Sequence, residues 1–177
     1  MPHFLRLQAA GPYPVSMASD SEADWRLKPP YKPPGGGSQF QRAIRGSCHC
    51  KKVVYWIGSH RPLASKFCHC PDCQVMHGKA SAGRVLLPGT DVSIREKPGA
   101  PFQWAAIFQK SDVAFETGAE YLKFYHSATK ETRHKLPCKV GCVFCGSHIM
   151  DEGRNTALVF PPLLSLTAVQ RQNFEVQ

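Results

Sequence analysis

Gly-Ser-Cys-His-Cys at residues 46–50 and Cys-Val-Phe-Cys-Gly at residues 142–146 decide the fold of this chain. Alternate side chains of a strand point to the same face, so the two cysteines of the first stretch are predicted to direct their sulfur atoms to one ion. The second stretch has the spacing of a knuckle, a tight turn that directs two thiolates inward, and its final glycine supplies backbone freedom. We predict a closed zinc site that ties the start of the domain to its end. Its ligands are Cys48, Cys50, Cys142 and Cys145.

A second cysteine group follows in the stretch Cys-His-Cys-Pro-Asp-Cys at residues 68–73. Its three thiolates are predicted to bind a second zinc ion, which leaves the fourth tetrahedral position open, as in catalytic zinc sites. The alternative is that Cys138, His69 or His77 fills this position. Cys138 lies only four residues before Cys142, so it is expected to lie near the first site or to be an ordinary buried cysteine. On a strand, His69 would point away from its cysteine neighbours, so it is not expected to be a ligand. The predicted ligands of the open site are Cys68, Cys70 and Cys73.

The charge of such an open site indicates its chemistry. Zinc with three thiolates carries a net charge of −1, so it is a poorer Lewis acid than zinc bound by neutral imidazoles, and it suits an incoming sulfur ligand. A fourth thiolate would bring the charge to −2, which Lys66 and Lys79 are candidates to offset. Lys51 and Lys52 are weaker candidates, and the more common case for all four is a solvated surface lysine.

The eight cysteines are expected to be reduced, because no secretory signal precedes them and they cluster in tight pairs instead of being spread as in a disulfide framework. This favours the cytoplasm and leaves the nucleus open. No apolar stretch approaches the ~18 residues that span a bilayer, so no membrane association is expected. The net charge of +9 suits a small anionic substrate or nucleic acid.

The 177 residues suit one globular domain with flanking segments. Residues 1–40 are rich in proline and glycine and are predicted to be a disordered leader, with docking of Trp25 and Tyr31 as the alternative. Residues 41–165 are predicted to form the zinc-binding domain, with a surface insertion at residues 79–98, and residues 166–177 a short tail.

The domain is predicted to be mainly β. Short β-branched and aromatic runs separated by turns indicate small antiparallel sheets. The only helix candidate spans residues 166–174. The predicted strands are 53–57, 104–108, 113–115, 121–125 and 157–160.

The three cysteine groups, in this order, resemble the glutathione-dependent formaldehyde-activating enzyme family, which includes centromere protein V. The matching stretches are 46–50, 68–73 and 142–147, and segments near residues 102–104, 135–138 and 150–155 resemble the fungal branch. The resemblance implies a zinc-bound β-tent fold of several small coiled antiparallel sheets. It also implies a structural zinc on the four-cysteine group, a catalytic zinc on the three-cysteine group, and carbon–sulfur lyase chemistry that joins glutathione to formaldehyde.

The leading hypothesis is therefore a zinc-dependent carbon–sulfur lyase with two zinc ions, acting on glutathione or a similar thiol and a small aldehyde. The alternative is a non-catalytic zinc module whose basic surface binds nucleic acid or protein, although the basic residues are scattered and no finger helix is evident. A third hypothesis, an accessory factor for Rab nucleotide exchange, depends on fold similarity alone.

Overall fold

The computed structural model describes residues 25–32, 40–76 and 102–176. Within these ranges the chain forms nine strands and two short helices, which confirms the prediction of a mainly β fold. In chain order the elements are β1 (Ile44–Ser47), β2 (Val54–Ile57), β3 (Ala64–Cys68), α1 (Pro71–Met76), β4 (Gln103–Gln109), β5 (Val113–Thr117), β6 (Leu122–Tyr125), β7 (Cys138–Cys142), β8 (His148–Glu152), β9 (Thr156–Val159) and α2 (Ala168–Gln172).

The strands form two sheets. Three strands pair in the order β1-β2-β5, and six strands pair in the order β3-β4-β9-β8-β7-β6. Neighbouring strands are antiparallel in both sheets, as predicted. This order places β7, which ends at Cys142, between β6 and β8, and it places β3, which ends at Cys68, at one edge of the larger sheet.

The five predicted strands correspond to β2, β4, β5, β6 and β9. The sequence did not predict β1, β3, β7 or β8, because each contains only one β-branched or aromatic residue. β3, for example, has no buried side chain and depends on its pairing with β4. The predicted terminal helix is α2, which begins after a Thr167 capping box with Gln170. α1 was not predicted, and the predicted insertion at 79–98 lies outside the described residues.

One hydrophobic core takes side chains from both sheets. Tyr55 of β2 and Phe108 of β4 are completely buried within it. Phe174, which follows α2, is also completely buried, and its carbonyl oxygen accepts a hydrogen bond of 3.2 Å from Nε1 of Trp104. The C-terminal segment is therefore packed onto the core.

The stretch at residues 46–50 requires glycine at its first position, Gly46. It lies opposite Tyr55 in the β1–β2 pairing, and a Cβ atom at this position would be 2.3 Å from Cζ of the tyrosine ring. Since that distance is far inside van der Waals contact, only glycine lets β1 approach the ring. This close approach fixes the strand from which the first cysteine pair emerges.

Residues 25–32 correct the prediction of a disordered leader for that part of the chain. Tyr31 is buried, and its ring stacks on Phe115 with the ring centroids 5.4 Å apart. Trp25 stacks on His134 at 4.6 Å and meets Phe124 edge-on at 4.8 Å. The prediction failed because a short segment with few apolar residues gains its stability from aromatic contacts with distant strands. Residues 1–24 and 33–39 lie outside the described residues, so the domain boundaries remain a prediction.

Glu152 of β8 anchors this segment. Its side chain is 1% exposed, and its Oε2 accepts a hydrogen bond of 2.6 Å from the hydroxyl of Tyr31. His134 Nε2 lies 2.9 Å from the same oxygen, and the ammonium of Lys110 pairs with Oε1. Burial raises the pKa of this carboxyl, but hydrogen bonds from His134, Lys110 and Tyr31 outweigh it and lower the pKa below its usual value. The result is a buried, ionised carboxylate that the N-terminal segment helps to satisfy.

The substitution Tyr31→Phe tests this anchor. It removes one hydrogen bond to a buried carboxylate and should lower the free energy of unfolding by about 1.5–3 kcal/mol. Urea unfolding followed by tryptophan fluorescence measures the loss. Tyr121→Phe, at a tyrosine that is 37% exposed, is the matched control and should change stability by less than about 0.5 kcal/mol. Equal stability of Tyr31→Phe and wild type would show that the segment is not anchored through Glu152.

Candidate metal centres

The first candidate centre is the four-cysteine group. The sulfur atoms of its four members all lie within 4.8 Å of one another. Cys48 and Cys50 have their sulfur atoms 3.4 Å apart, and Cys50 and Cys142 have theirs 3.8 Å apart. Four sulfurs bound tetrahedrally to zinc at about 2.3 Å would be about 3.8 Å apart, so these separations fit one ion. They are far too long for disulfides, and all eight cysteines are free.

Turns, not a strand, bring the first pair of sulfurs together. β1 ends at Ser47, and the chain reverses through Lys51, whose φ of 60° is left-handed. The backbone N–H of Val53 then donates to Cys48 Sγ over 3.4 Å. The prediction that Cys48 and Cys50 meet because strand side chains alternate was therefore wrong in its reason: the convergence comes from this tight turn.

The second pair has the predicted knuckle geometry. Cys142 ends β7, and the backbone N–H of Gly146 donates to its carbonyl oxygen over 3.0 Å. Gly146 has a φ of 72°, the left-handed conformation for which glycine is favoured. Ser147 then turns back, so that its Oγ lies 3.2 Å from Cys145 Sγ and accepts a 3.1 Å hydrogen bond from the backbone N–H of His49. This serine joins the two halves of the centre.

The thiols of this group have unequal acidity. Burial raises the pKa of Cys48 to about 12. Burial also raises the pKa of Cys145, but hydrogen bonds from the Ser147 side chain and from the backbone N–H groups of Cys50 and Ser147 outweigh it and lower the pKa to about 5. A metal ion that binds all four sulfurs must displace protons from the weaker acids, so its affinity falls as pH falls. Four sulfurs in a tetrahedral arrangement are the donor set of zinc or of iron–sulfur centres.

The second candidate centre is the three-cysteine group, whose sulfurs also lie within 4.8 Å of one another. Cys68 ends β3, Cys70 is exposed in the following loop, and Cys73 is buried in α1. The backbone N–H of Cys73 donates to Cys70 Sγ over 3.4 Å, which orders the loop. The sulfurs thus converge because β3 ends at Cys68 and α1 begins at Pro71; the sequence analysis predicted neither element. Because Cys70 is exposed, one side of the group is open to solvent.

The three residues considered for the fourth position have different locations. Cys138 is 3% exposed and is grouped with His134 and Glu152, not with the three-cysteine group. His69 follows the end of β3, and its ring lies 5.8 Å from that of Phe102. His77 lies outside the described residues. Among the side chains that the structure describes, no fourth cysteine, histidine or carboxylate is grouped with these sulfurs.

His134, Cys138 and Glu152 form a third group of atoms of the kinds that bind metals, again within 4.8 Å of one another. The carboxylate of Glu152 already has the Lys110 ammonium and the Tyr31 hydroxyl as partners, and Cys138 Sγ lies 3.9 Å from Oε2. Because the Lys110 ammonium already balances the charge of the carboxylate, we interpret this group as the polar anchor around Glu152 and not as a metal site. Burial, followed by the charge of Glu152, raises the pKa of the Cys138 thiol to about 12, which keeps it protonated.

Lys139 is the site residue that the sequence analysis missed. Its Nζ donates to Cys73 Sγ over 3.4 Å and to Asp151 Oδ2 over 2.6 Å. Burial raises the pKa of the Cys73 thiol to about 12, and the positive charge of Lys139 opposes that rise. Lys66, one of the lysines that the sequence suggested, has an exposed side chain. Nothing in the spacing of residues 68–73 points to a lysine some 66 positions away; the tertiary fold brings Cys73 of α1 into contact with Lys139 of β7.

The fold and these two groups define a mainly β protein with two sets of cysteines that could hold metal ions. Residues 43–98 match the model of the glutathione-dependent formaldehyde-activating enzyme family, which confirms the resemblance over that stretch. The match includes Cys48, Cys50 and the whole three-cysteine group, whereas Cys142 and Cys145 lie beyond it. It does not distinguish the fungal branch, which stays a prediction.

No curated protein matches the chain. In the described ranges, every helix is too short or too polar to cross a membrane. The description of the matching family names glutathione and formaldehyde, and no comparison indicates a nucleic-acid partner.

Metal analysis of purified protein tests the separation of the two centres. We expect wild type to contain two ions per chain and Cys73→Ser to contain about one, with the fold retained, because the four-cysteine group is complete without Cys73. Cys138→Ser is the matched control, a buried cysteine outside both centres, and should still contain two. An unchanged metal content in Cys73→Ser would contradict the two-centre assignment.

Cys145→Ser should have a different effect. A structural metal site supplies folding free energy outright, so weakening it should abolish the cooperative unfolding transition or leave aggregated protein. Differential scanning calorimetry of Cys145→Ser beside Cys138→Ser measures this. A Cys145→Ser variant that melts like wild type would rule out a structural role for the four-cysteine group.

Proposed function

We propose that this protein is a zinc-dependent enzyme of the carbon–sulfur lyase type, which acts on glutathione or a similar thiol and on a small aldehyde such as formaldehyde. In this proposal the four-cysteine group holds a structural zinc ion, and the three-cysteine group holds a catalytic one. The observation that carries the proposal is the difference between the two groups: one contains four sulfurs and the other contains three. In the three-cysteine group Cys70 is exposed, and the whole group lies inside the stretch that matches the family.

The donor sets fit this assignment. Four thiolates complete a tetrahedral zinc site and close it, whereas three leave a position for a further ligand. When bound by three thiolates, zinc supplies a soft coordination position that favours a thiolate over an oxygen ligand. Cys68, Cys70 and Cys73 would hold the ion at the edge of the larger sheet. Lys139 would place a positive charge beside Cys73, where a thiol substrate brings further negative charge.

The proposed reaction adds the substrate thiol across the aldehyde carbonyl. A carbon–sulfur bond forms between the thiol sulfur and the carbonyl carbon, the carbonyl π bond breaks, and the thiol proton ends on the new hydroxyl oxygen. The product with glutathione and formaldehyde is S-(hydroxymethyl)glutathione. Holding both reactants in one site lowers the entropic part of the barrier.

The redox state that the cysteine thiols require indicates the cellular compartment of the protein. Seven metal-binding cysteines need a reducing compartment to stay available, and all eight cysteines are free in the structure. We therefore propose the cytoplasm, or alternatively the nucleus, as the place where the protein acts.

Exchange NMR tests the proposed activity, because it measures the interconversion of glutathione and its hydroxymethyl adduct at equilibrium. Zinc-loaded wild type should accelerate the exchange above the uncatalysed rate, and Cys73→Ser should reduce the acceleration by at least about 100-fold. Cys138→Ser should exchange at the wild-type rate. If wild type carries two zinc ions and the exchange stays at the uncatalysed rate, the proposed activity is wrong.

A further inference from the structure

Lys139 lies between the three-cysteine group and the partner strand β8. Its side chain is 12% exposed, so the ammonium is largely removed from water. It has two anionic or potentially anionic neighbours, Cys73 Sγ at 3.4 Å and Asp151 Oδ2 at 2.6 Å. A lysine in this position is not a solvated surface charge: two of its three donors are directed to these two groups.

The sheet fixes where the ammonium lies. Lys139 and Asp151 are directly opposite in the β7–β8 pairing, where side chains on one face are in contact. Asp151 is held in turn by His148, whose Nε2 lies 2.7 Å from Oδ1. Because a lysine side chain is otherwise flexible, the carboxylate restricts it to the rotamer that reaches Cys73.

The position matters because of the charge on the centre. Three thiolates and one zinc ion carry −1, and a substrate thiolate would make this −2 beside the buried Cys73. Burying such a charge without a nearby cation is unfavourable. Hydrogen bonds to a metal ligand orient it and tune the metal, and removing them typically costs 10- to 100-fold in affinity.

We infer that Lys139 is a positioning residue of the three-cysteine centre: it fixes the Cys73 sulfur by an N–H···S hydrogen bond and supplies the positive charge with which the centre accepts an anionic thiol. Asp151 holds Lys139 in place for this role. The inference rests on the proposed function, since it requires a metal ion at this centre.

Two measurements on the 177-residue chain, besides activity, test the inference. Zinc affinity of the weaker site is measured by competition with a chromogenic chelator. Glutathione affinity is measured by titrating protein that holds zinc in its tighter site and cobalt in the other, because the sulfur-to-cobalt absorption changes when a further sulfur binds. Lys139→Met should weaken each affinity by about 10- to 100-fold, while Lys139→Arg, which keeps the charge and the donors, should restore at least the larger part of the loss.

Lys66→Met is the matched control, because it removes the same charge from an exposed position two residues before Cys68. It should leave both affinities within about twofold of wild type. Equal losses in Lys66→Met and Lys139→Met would overturn the inference, since general electrostatics would then explain both. Unchanged affinities in Lys139→Met would overturn it directly.

Removing Lys139 leaves Asp151 without its ammonium partner, so Lys139→Met is paired with the double variant Lys139→Met/Asp151→Asn, which removes both charges. A cooperative melt and full occupancy of the four-cysteine centre show that either variant is folded. If wild type itself binds no second ion, the proposed function fails. If wild type binds two ions and Lys139→Met has the same zinc and glutathione affinities as wild type, only the inference on Lys139 fails.

Discussion

The convergence of four cysteine sulfurs on one point is the constraint on which the rest of the structure depends. Cys50 and Cys142 are 92 residues apart in sequence, yet their sulfurs lie 3.8 Å apart. The first pair leaves the three-stranded sheet after β1, and the second lies at the end of β7 in the six-stranded sheet. A metal ion at this point would join the two sheets, which also share one hydrophobic core.

Strand β7 supplies a residue to, or contacts, each of the three cysteine-containing groups. Cys138 at its start belongs to the polar anchor around Glu152, Lys139 reaches Cys73, and Cys142 at its end belongs to the four-cysteine centre. Side-chain alternation along the strand explains the division: Cys138 and Cys142 are buried on one face, and Lys139 points to the other. The placement of the three-cysteine centre relative to its lysine thus depends on the strand that the four-cysteine centre holds.

The sequence predicted the grouping of the seven cysteines and the five strands with clear apolar patterns, because tight cysteine spacing and β-branched runs are local signals. It did not predict how the groups are built. Cys48 and Cys50 meet through a turn with a left-handed Lys51, and Cys73 lies in α1, a helix too short to show a hydrophobic period. Lys139 was missed, and the docking of Tyr31 was predicted only as the alternative, for the same physical reason: both act through contacts with residues far away in the chain, which only the tertiary structure reveals.

We propose that seven cysteines share two zinc ions and that one of these ions has a position for an outside sulfur. X-ray absorption at the zinc edge of the fully loaded protein tests it most directly. Seven protein sulfurs on two ions predict about 3.5 sulfur neighbours per zinc at about 2.3 Å, rising to about 4 when glutathione is added. A sulfur count near 4 before glutathione, or one that glutathione leaves unchanged, would contradict the account.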